Sequence, residues 1–360
     1  MTGTEVLVVG GGPAGAAAAA WLAAAGRRVL LAERTAGPHQ KVCGEFLSGE
    51  AVALVRGLGV DPAAAGARPV ECLRLVRGGA EAVAALPFPA LSVGRDVLDE
   101  ALLAAARRHG AEVRRGAAVR RLTADGAGVR ALLGDGAVTA DAAVLATGKH
   151  DLHGHRRPPP AAAVIGFKQH WRLAPGPDRA LDGHVEVHLF DGGYAGLQPA
   201  AQGRANLCLV VEAATYARLG RDWGALLAHA GAGSPRLAER LAGGTPCWPR
   251  PLAVAGLPYG WVHRDGGPAV LHRVGDQLAV IPSFCGDGMA IALDSARRAA
   301  AAVASGRPAG DGAPYARQVG LARGAARLLR APRLAGLAVA ALSLWPGPAR
   351  WVARHTRVAG

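Results

Sequence analysis

Near its start the chain runs from the apolar segment Val6-Leu7-Val8-Val9 straight into Gly10-Gly11-Gly12-Pro13-Ala14-Gly15. The apolar run, rich in β-branched side chains, reads as a buried parallel strand. The glycines at 10, 12 and 15 complete G-x-G-x-x-G, and each has its own task. Gly10 permits a tight turn, Gly12 lets a pyrophosphate approach the backbone, and Gly15 lets the next helix lie close on the strand. That helix, from Ala14 to about Ala25, is almost all alanine and stops at Gly26. Its N-terminus offers free N–H groups and positive partial charge to a phosphate. A second apolar run at 29–32 ends in Glu33, about twenty residues past the glycines, where a ribose-binding carboxylate belongs. The combination predicts a nucleotide-binding βαβ unit and a dinucleotide ligand.

The spacing predicts further elements. A helix is expected over 51–58, then short strands over 70–90 with turns at Gly78-Gly79 and around Pro87 and Pro89. A helix with the stripe Leu98, Ala101, Leu102 and Ala105 starts near Arg95. Strands are expected at 112–113 and 117–122, a hairpin through Asp135-Gly136, and a buried strand at 143–148 ending in Thr147-Gly148. Residues 150–160 read as a loop, 161–211 as alternating strands, with 184–190 a half-buried antiparallel one, and 214–242 as helix. An apolar strand over 272–282 leads to Gly286-Asp287-Gly288-Met289, a second glycine loop opening a helix.

With 360 residues the chain can bury a large core. Five cysteines without close pairs argue against a disulfide framework or a zinc site, and the histidines at 150, 153, 155 and 170 lack metal-ligand spacing, so no metal is expected. The first residues leave no room for a signal peptide before the first strand, which makes a cytoplasmic protein the expectation. The net charge of +14 suggests a nucleic-acid partner. No nucleic-acid-binding motif accompanies it, however, and no acid follows Asp311 while eight arginines do, so no nucleic acid is expected. Within that arginine-rich helical tail the uncharged stretch 334–344 is too short to span a bilayer. It is read either as a helix docked on the protein or as a peripheral membrane contact.

The order of these pieces resembles the FAD-dependent oxidoreductases of the aromatic hydroxylase and geranylgeranyl reductase superfamily. The motifs that carry the resemblance are Gly10/Gly12/Gly15 with Glu33, Arg95-x-x-Leu98, Ala146-Thr147-Gly148, and Gly275-Asp276 followed by Pro282 and Gly286-x-Gly288-Met289. It implies an α/β fold: a discontinuous Rossmann-like FAD-binding domain (1–70, 91–160, 265–310), an inserted mixed β-sheet substrate domain (71–90, 161–264) and a helical C-terminal tail (311–360). It also implies that Glu33 holds the adenosine ribose, that Arg95 lies near the pyrophosphate, that Asp276 meets the ribityl chain, and that Gly288 and Met289 offer N–H groups to the flavin pyrimidine edge. Arg34, Lys41, Cys43, Val119, Pro282 and Gly286 complete the cofactor set. Lys41-Val42-Cys43-Gly44-Glu45 is similar to the reductase branch's K-x-C-G-G loop, with Glu45 in place of the second glycine. The segment 193–199 is similar to that branch's substrate-domain strand. The pattern further resembles actinobacterial oxidoreductases found beside type III polyketide synthases.

Several residues keep two readings. Cys43 is a flavin-side residue or a small buried hydrophobe, and Tyr194 and Gln198 touch substrate or merely pack. His150, flanked by Lys149 and Asp151, is an acid/base or part of a solvated loop. The leading functional expectation is an FAD-dependent monooxygenase for a hydrophobic aromatic or polyketide-like secondary metabolite, with NAD(P)H the candidate reductant. The alternative is a reductase or dehydrogenase of C=C bonds in an isoprenoid or acyl chain.

Overall fold

The computed structural model describes residues 2–358 apart from 126, 127, 135, 265, 331 and 346. The opening motif folds as β1 (Thr2–Val9), α1 (Pro13–Ala24) and β2 (Val29–Glu33), with β1 and β2 parallel from Val6↔Val29 to Val9↔Ala32. The chain then crosses to a second sheet through β3 (Phe46–Leu47), α2 (Gly49–Gly57), β4 (Arg68–Arg77) and β5 (Ala80–Ser92). It returns through α3 (Arg95–Arg108), β6 (Glu112–Arg115), β7 (Arg121–Ala124), β8 (Val129–Leu133) and β9 (Gly136–Leu145). The second sheet is completed by β10 (Val164–Arg172), α4 (Pro175–Leu181), β11 (Gly183–Phe190), β12 (Gly193–Ala200) and β13 (Arg204–Glu212). Helices α5 (Ala213–Arg218), α6 (Trp223–Gly233) and α7 (Pro235–Leu241) and short strands β14 (Thr245–Pro246) and β15 (Leu252–Ala255) lead to β16 (Leu271–Arg273) and α8 (Gly288–Ala304). The tail is α9 (Ala316–Arg330), α10 (Pro332–Leu344) and α11 (Gly347–His355).

The first sheet has the order β6-β2-β1-β9-β8-β7, with β16 also paired to β9. Its nucleotide-binding half is parallel, as expected when helices cover the faces, and α1 packs against both α3 and α8. The alanines of α1 are what permit this approach, since Ala16 to Ala20 are all fully buried. The second sheet has the order β14-β10-β13-β12-β11-β4-β5-β3 with β15 beside β10. This is the mixed α/β architecture expected from the motif order.

The structure corrects several local expectations. The prolines at 87 and 89 do not break β5. The β4–β5 register jumps from Val70↔Ala90 to Cys72↔Ala85, so residues 86–89 leave the ladder as a bulge, where a missing N–H costs nothing. The expected 272–282 strand ends at Arg273, because Gly275 takes φ +58 and turns the chain into a 3₁₀ turn. The strand expected over 117–122 begins only at Arg121. Strand β11 is parallel to β4 as well as antiparallel to β12, and its last five residues are buried, not half-exposed. The turn residue Asp135 of the expected hairpin lies outside the described residues, but β8 and β9 pair antiparallel around it.

Candidate active site between the two sheets

The first glycine loop is shaped by close packing. Gly10 takes φ +105, and a Cβ there would lie 2.5 Å from the Ala146 carbonyl oxygen. A Cβ on Gly15 would fall 1.8 Å from the Gly10 carbonyl oxygen, so helix and strand touch backbone to backbone. Gly12 looks instead onto two cations, with Arg95 Nη2 at 3.6 Å and Lys41 Nζ at 3.8 Å from the position of its Cβ. Pro13 occupies the first turn of α1, where its missing N–H is no loss. Ala14 packs on Gly275.

Glu33, at the end of β2, accepts hydrogen bonds from the Gly11 N–H (2.6 Å) and from the N–H (2.9 Å) and hydroxyl (2.7 Å) of Thr35. Burial alone would push its carboxyl up. The Thr35 and Gly11 bonds, aided by Lys41, bring it below its ordinary value, so Glu33 is ionised. Arg95 and Lys41 share the buried Asp99 carboxylate, at 2.8 Å and 2.9 Å. Burial works against the Arg95 charge, but Asp99, with Cys43, more than offsets it and holds the guanidinium protonated. These residues line a hollow of about 200 Å³ with Thr35, His39 and Arg115. Arg34 is exposed beside it, and Val119 packs part-buried on the outer face of the first sheet.

At the far end of β9, Gly148 takes φ +60 and its carbonyl accepts from Gln277 Nε2 at 2.8 Å. Lys149 Nζ lies 3.5 Å from the Asp276 carboxylate. Thr147 Oγ1 and Gln277 Oε1 are buried polar atoms without a hydrogen-bond partner among the described residues. His150 is exposed; partial burial and the neighbouring Arg34 and Arg157 charges push its pKa down. Its ring stands in an exposed loop and is not among the residues that line the cleft described next.

The loop 41–48 enters between the sheets and carries the densest buried polar cluster there. Glu45 sits at φ +59, fully buried, and its carboxylate meets Lys168 Nζ and His170 Nε2, the latter at 2.9 Å. It also accepts the Arg95 N–H at 3.1 Å, and Gln40 Oε1 accepts from Lys168 at 2.7 Å. Burial pushes the Glu45 carboxyl up, but Lys168 and His170 bring it down to about 2. Asn206 Nδ2 donates to the Cys43 carbonyl at 3.1 Å, which ties the loop to β13. Cys43 is half-buried beside Arg95 and Gly44. The alternation of a strand explains the pairing: Lys168 and His170 are two apart on β10 and face the same side. Sequence reading weighed His170 only as a metal ligand and did not single out Lys168, because nothing local says that this face meets the 41–48 loop.

Next to this cluster a cleft of about 650 Å³ opens between β12, β13, residues 282–284 and α9. Tyr194 Oη and Tyr259 Oη both bond the Ser283 hydroxyl, at 2.8 Å and 2.9 Å. Burial raises both phenol pKa values, so the two tyrosines keep their protons. Pro282, Phe284 and Leu189 add apolar wall. Gln198, on the same strand as Tyr194, is instead buried and donates to Ser92 Oγ at 2.6 Å, and it is not among the cleft-lining residues. Tyr259 and Ser283 were not singled out from sequence; Ser283 adjoins Pro282, but Tyr259, 23 positions before it, carries no such signal.

The cleft wall continues directly into the second glycine loop. Gly286 takes φ +70 against the Phe46 ring, Gly288 opens α8 with free space around it, and Met289 is buried. Asp287 is fully buried and meets Arg357 Nη1 at 3.1 Å, Gln318 Nε2 at 3.3 Å and Ser48 Oγ at 3.5 Å. Burial pushes its carboxyl up to about 7 in spite of Arg357. Arg357 further donates to the Cys285 carbonyl, and its guanidinium lies 4.8 Å from the Phe88 ring centre.

Two glycine loops at helix N-termini, a Gly12 cradle facing Arg95 and Lys41, an ionised carboxylate at the β2 end, and unpartnered buried oxygens on Thr147 and Gln277 together fit an extended dinucleotide. Residues 3–147 match the protein family described as an FAD binding domain. The cofactor is FAD. The chain is 29% identical to a menaquinone reductase of Mycolicibacterium smegmatis, over 92% of this chain and 86% of that one. Its fold is similar to that of the flavin-dependent brominase Bmp2 (TM-score 0.80, 20% identity, 99% of this chain and 93% of the other). A flavoprotein/dehydrogenase from Cytophaga hutchinsonii matches with TM-score 0.78 and 17% identity over 99% of this chain and 97% of its own. The myxobacterial chondrochloren halogenase CndH matches with TM-score 0.73 and 22% identity over 85% and 75%. At these identities the structural likeness is one of fold. The protein is an FAD-dependent oxidoreductase.

Proposed function

We propose that this oxidoreductase saturates a C=C bond in an apolar substrate, quinone-like or isoprenoid, held in the cleft between β12, β13 and α9. The observation that carries the reading is the Tyr194–Ser283–Tyr259 hydroxyl chain, set beside the apolar wall of Leu189, Val210, Pro282 and Phe284 that runs into the second glycine loop, with Glu212, Arg323 and Arg330 also lining the cleft. Reducing a C=C bond adds two electrons and two protons. Bound FAD, once reduced by a nicotinamide-class donor, supplies two electrons and one hydrogen as hydride. The chain must supply the other hydrogen as a proton. Tyr194 Oη holds one at neutral pH because burial raises its pKa, and Ser283 and Tyr259 form a path by which it is replaced.

The cofactor residues take roles consistent with their surroundings. Gly12, Pro13 and the α1 N-terminus would receive the pyrophosphate, with Arg95 and Lys41 offsetting its charge. Glu33 would hold the ribose, Asp276 the ribityl chain, and Gly288 and Met289 the flavin ring edge. Cys43, part-buried next to Arg95, borders the same space. The menaquinone reductase relative, which spans most of both chains, moves the weight towards reduction and away from the oxygen insertion that the sequence put first.

Oxygen insertion into an aromatic or polyketide-like ring is the second reading, favoured by the ring-lined wall in which Tyr194 and Phe284 meet edge to face at 6.1 Å. Anaerobic incubation of the holoenzyme with reductant and a panel of prenylated quinones and aromatic polyketides separates the two. A product that gains two hydrogens supports reduction. Turnover only in oxygen, with one oxygen atom gained, overturns it. Tyr194→Phe is expected to lower kcat by about 10²-fold, the usual share of one proton donor, with the FAD spectrum unchanged.

A further inference from the structure

Helix α10 is apolar on two opposite sides, but the protein covers one. Ala335 and Val339 are buried on Leu75, Ala82, Val187 and Leu189, with Leu342 packed alongside. At about 100° per residue, Leu334, Leu337 and Leu344 fall on a single opposite stripe. They are 52%, 69% and 89% exposed. Trp345 and Trp351, which follow it, are 71% and 50% exposed. A helix apolar all round is stable in water only when its second face is also covered.

We propose that the outward stripe of α10, with Trp345 and Trp351, docks on a lipid surface carrying anionic headgroups. The charge of the region selects this occupant. No acidic residue follows Asp311, whereas Arg323, Arg327, Arg330, Arg350 and Arg354 are all exposed. A second copy of the chain would bring these arginines against their own like, while an anionic bilayer neutralises them. The helix lies on the surface and does not cross it, since thirteen residues span about 20 Å against roughly 30 Å of hydrocarbon. Exposed leucines and tryptophans flanked by arginines are the pattern of an interfacial helix.

The position of the surface gives it a use. Arg323, Ala326, Leu329 and Arg330 of α9 form one wall of the cleft, and Leu329 also packs into the cluster that seats α10. The cleft therefore adjoins the covered side of α10, about one helix diameter from the docked stripe, which keeps the path of an apolar substrate from lipid to cleft short. This delivery role rests on the apolar-substrate reading above; docking itself does not, and vesicle binding is measured without turnover.

The holoenzyme is sedimented with vesicles of phosphatidylcholine alone or mixed with phosphatidylglycerol. The bound fraction is expected to be at least about tenfold higher on the anionic vesicles and to fall in about 1 M salt, where screening acts within roughly 3 Å. Leu337→Glu with Leu344→Glu is expected to lose binding while retaining the FAD absorbance. In the unaltered chain, acyl chains brominated near the headgroup are expected to quench tryptophan emission, and Trp345→Phe to lose much of that quenching. Equal sedimentation of the unaltered and Leu-to-Glu chains overturns the proposal. So does self-association without vesicles that the same pair of substitutions abolishes.

Discussion

The two glycine loops open two helices, α1 and α8, that pack against each other, yet they are held in different ways. The loop at Gly10–Gly15 is fixed by backbone contacts within its own βαβ unit and the adjoining β9. Gly15 lies against Gly10, and Gly10 against Ala146. The loop at Gly286–Met289 is fixed from a distance. Asp287 is held by Ser48, Gln318 and Arg357, and only Gly286, pressed on Phe46, is sterically confined. A loop of the first kind is written mostly in a dozen consecutive residues, with Ala146 the one distant contact. One of the second kind exists only once the rest of the chain, its last turn included, has closed over it.

The sharpest break of the first loop is Gly15→Ala. The added methyl would sit 1.8 Å from a backbone oxygen that cannot move without parting α1 from β1. Loss of bound FAD and of a cooperative unfolding transition together is expected, read by flavin absorbance and thermal melting. Lys168→Met comes next. It leaves the Glu45 carboxylate buried with only His170 and the Arg95 N–H as partners, a change that costs roughly 3–5 kcal/mol near neutral pH in a urea titration. In the unaltered chain Glu45 falls from its ordinary 4.5 to about 2, so its contribution is present above about 4.5 and lost as pH falls towards 2. In the variant the penalty shrinks as pH is lowered, because the stranded carboxyl takes up a proton.

For the second loop the test is Arg357→Ala, expected to cost about 3 kcal/mol at pH 8 by removing the charge that faces buried Asp287. Asp287 sits above its ordinary 3.8, at about 7. Native chain then binds that proton more tightly than unfolded chain, so the stability it lends is full below about 4 and declines as pH rises to about 7. Removing Arg357 extends the decline to higher pH. Adding Asp287→Asn to Arg357→Ala abolishes that dependence and restores part of the loss, which a double-mutant cycle over pH 5–9 measures. A pH-independent cost would mean that the loop is held by the Arg357 contacts to Cys285 and Phe88 alone.

The same contrast accounts for what was legible. The glycines, Glu33 and the β1–α1–β2 unit were readable because their constraints, the contact of Gly10 with Ala146 excepted, act between residues near in sequence. The second loop was found by spacing, but its clamp was not, since Asp287 and Arg357 stand seventy positions apart and pair only through burial. The pairing of Lys168 and His170 with Glu45 went unread for the same reason: their strand periodicity was visible, their partner was not. Prolines 87 and 89 misled because a local rule, that proline ends a strand, was met by a bulge that lets β5 continue on both sides. Gln198 was placed near Tyr194 correctly along the strand, but its amide turns to Ser92.

The smallest expected effect on stability separates the loops most cleanly. Gly288 has no heavy atom within 4 Å of where a Cβ would stand, its φ is not in the left-handed region, and it begins a helix. Gly288→Ala should therefore leave stability unchanged or raise it by about 0.5 kcal/mol, through the unfolded chain's lost freedom. If the flavin ring edge approaches the α8 N-terminus, the same methyl occupies the space it needs, and FAD affinity measured by fluorescence titration drops while the melting point of the apoprotein holds. Gly15→Ala cannot make that distinction, since fold and cofactor fail together. A Gly288→Ala chain that binds FAD as tightly as before would leave α8 as a structural helix and assign the whole of cofactor recognition to the first loop, with Arg95 and Lys41.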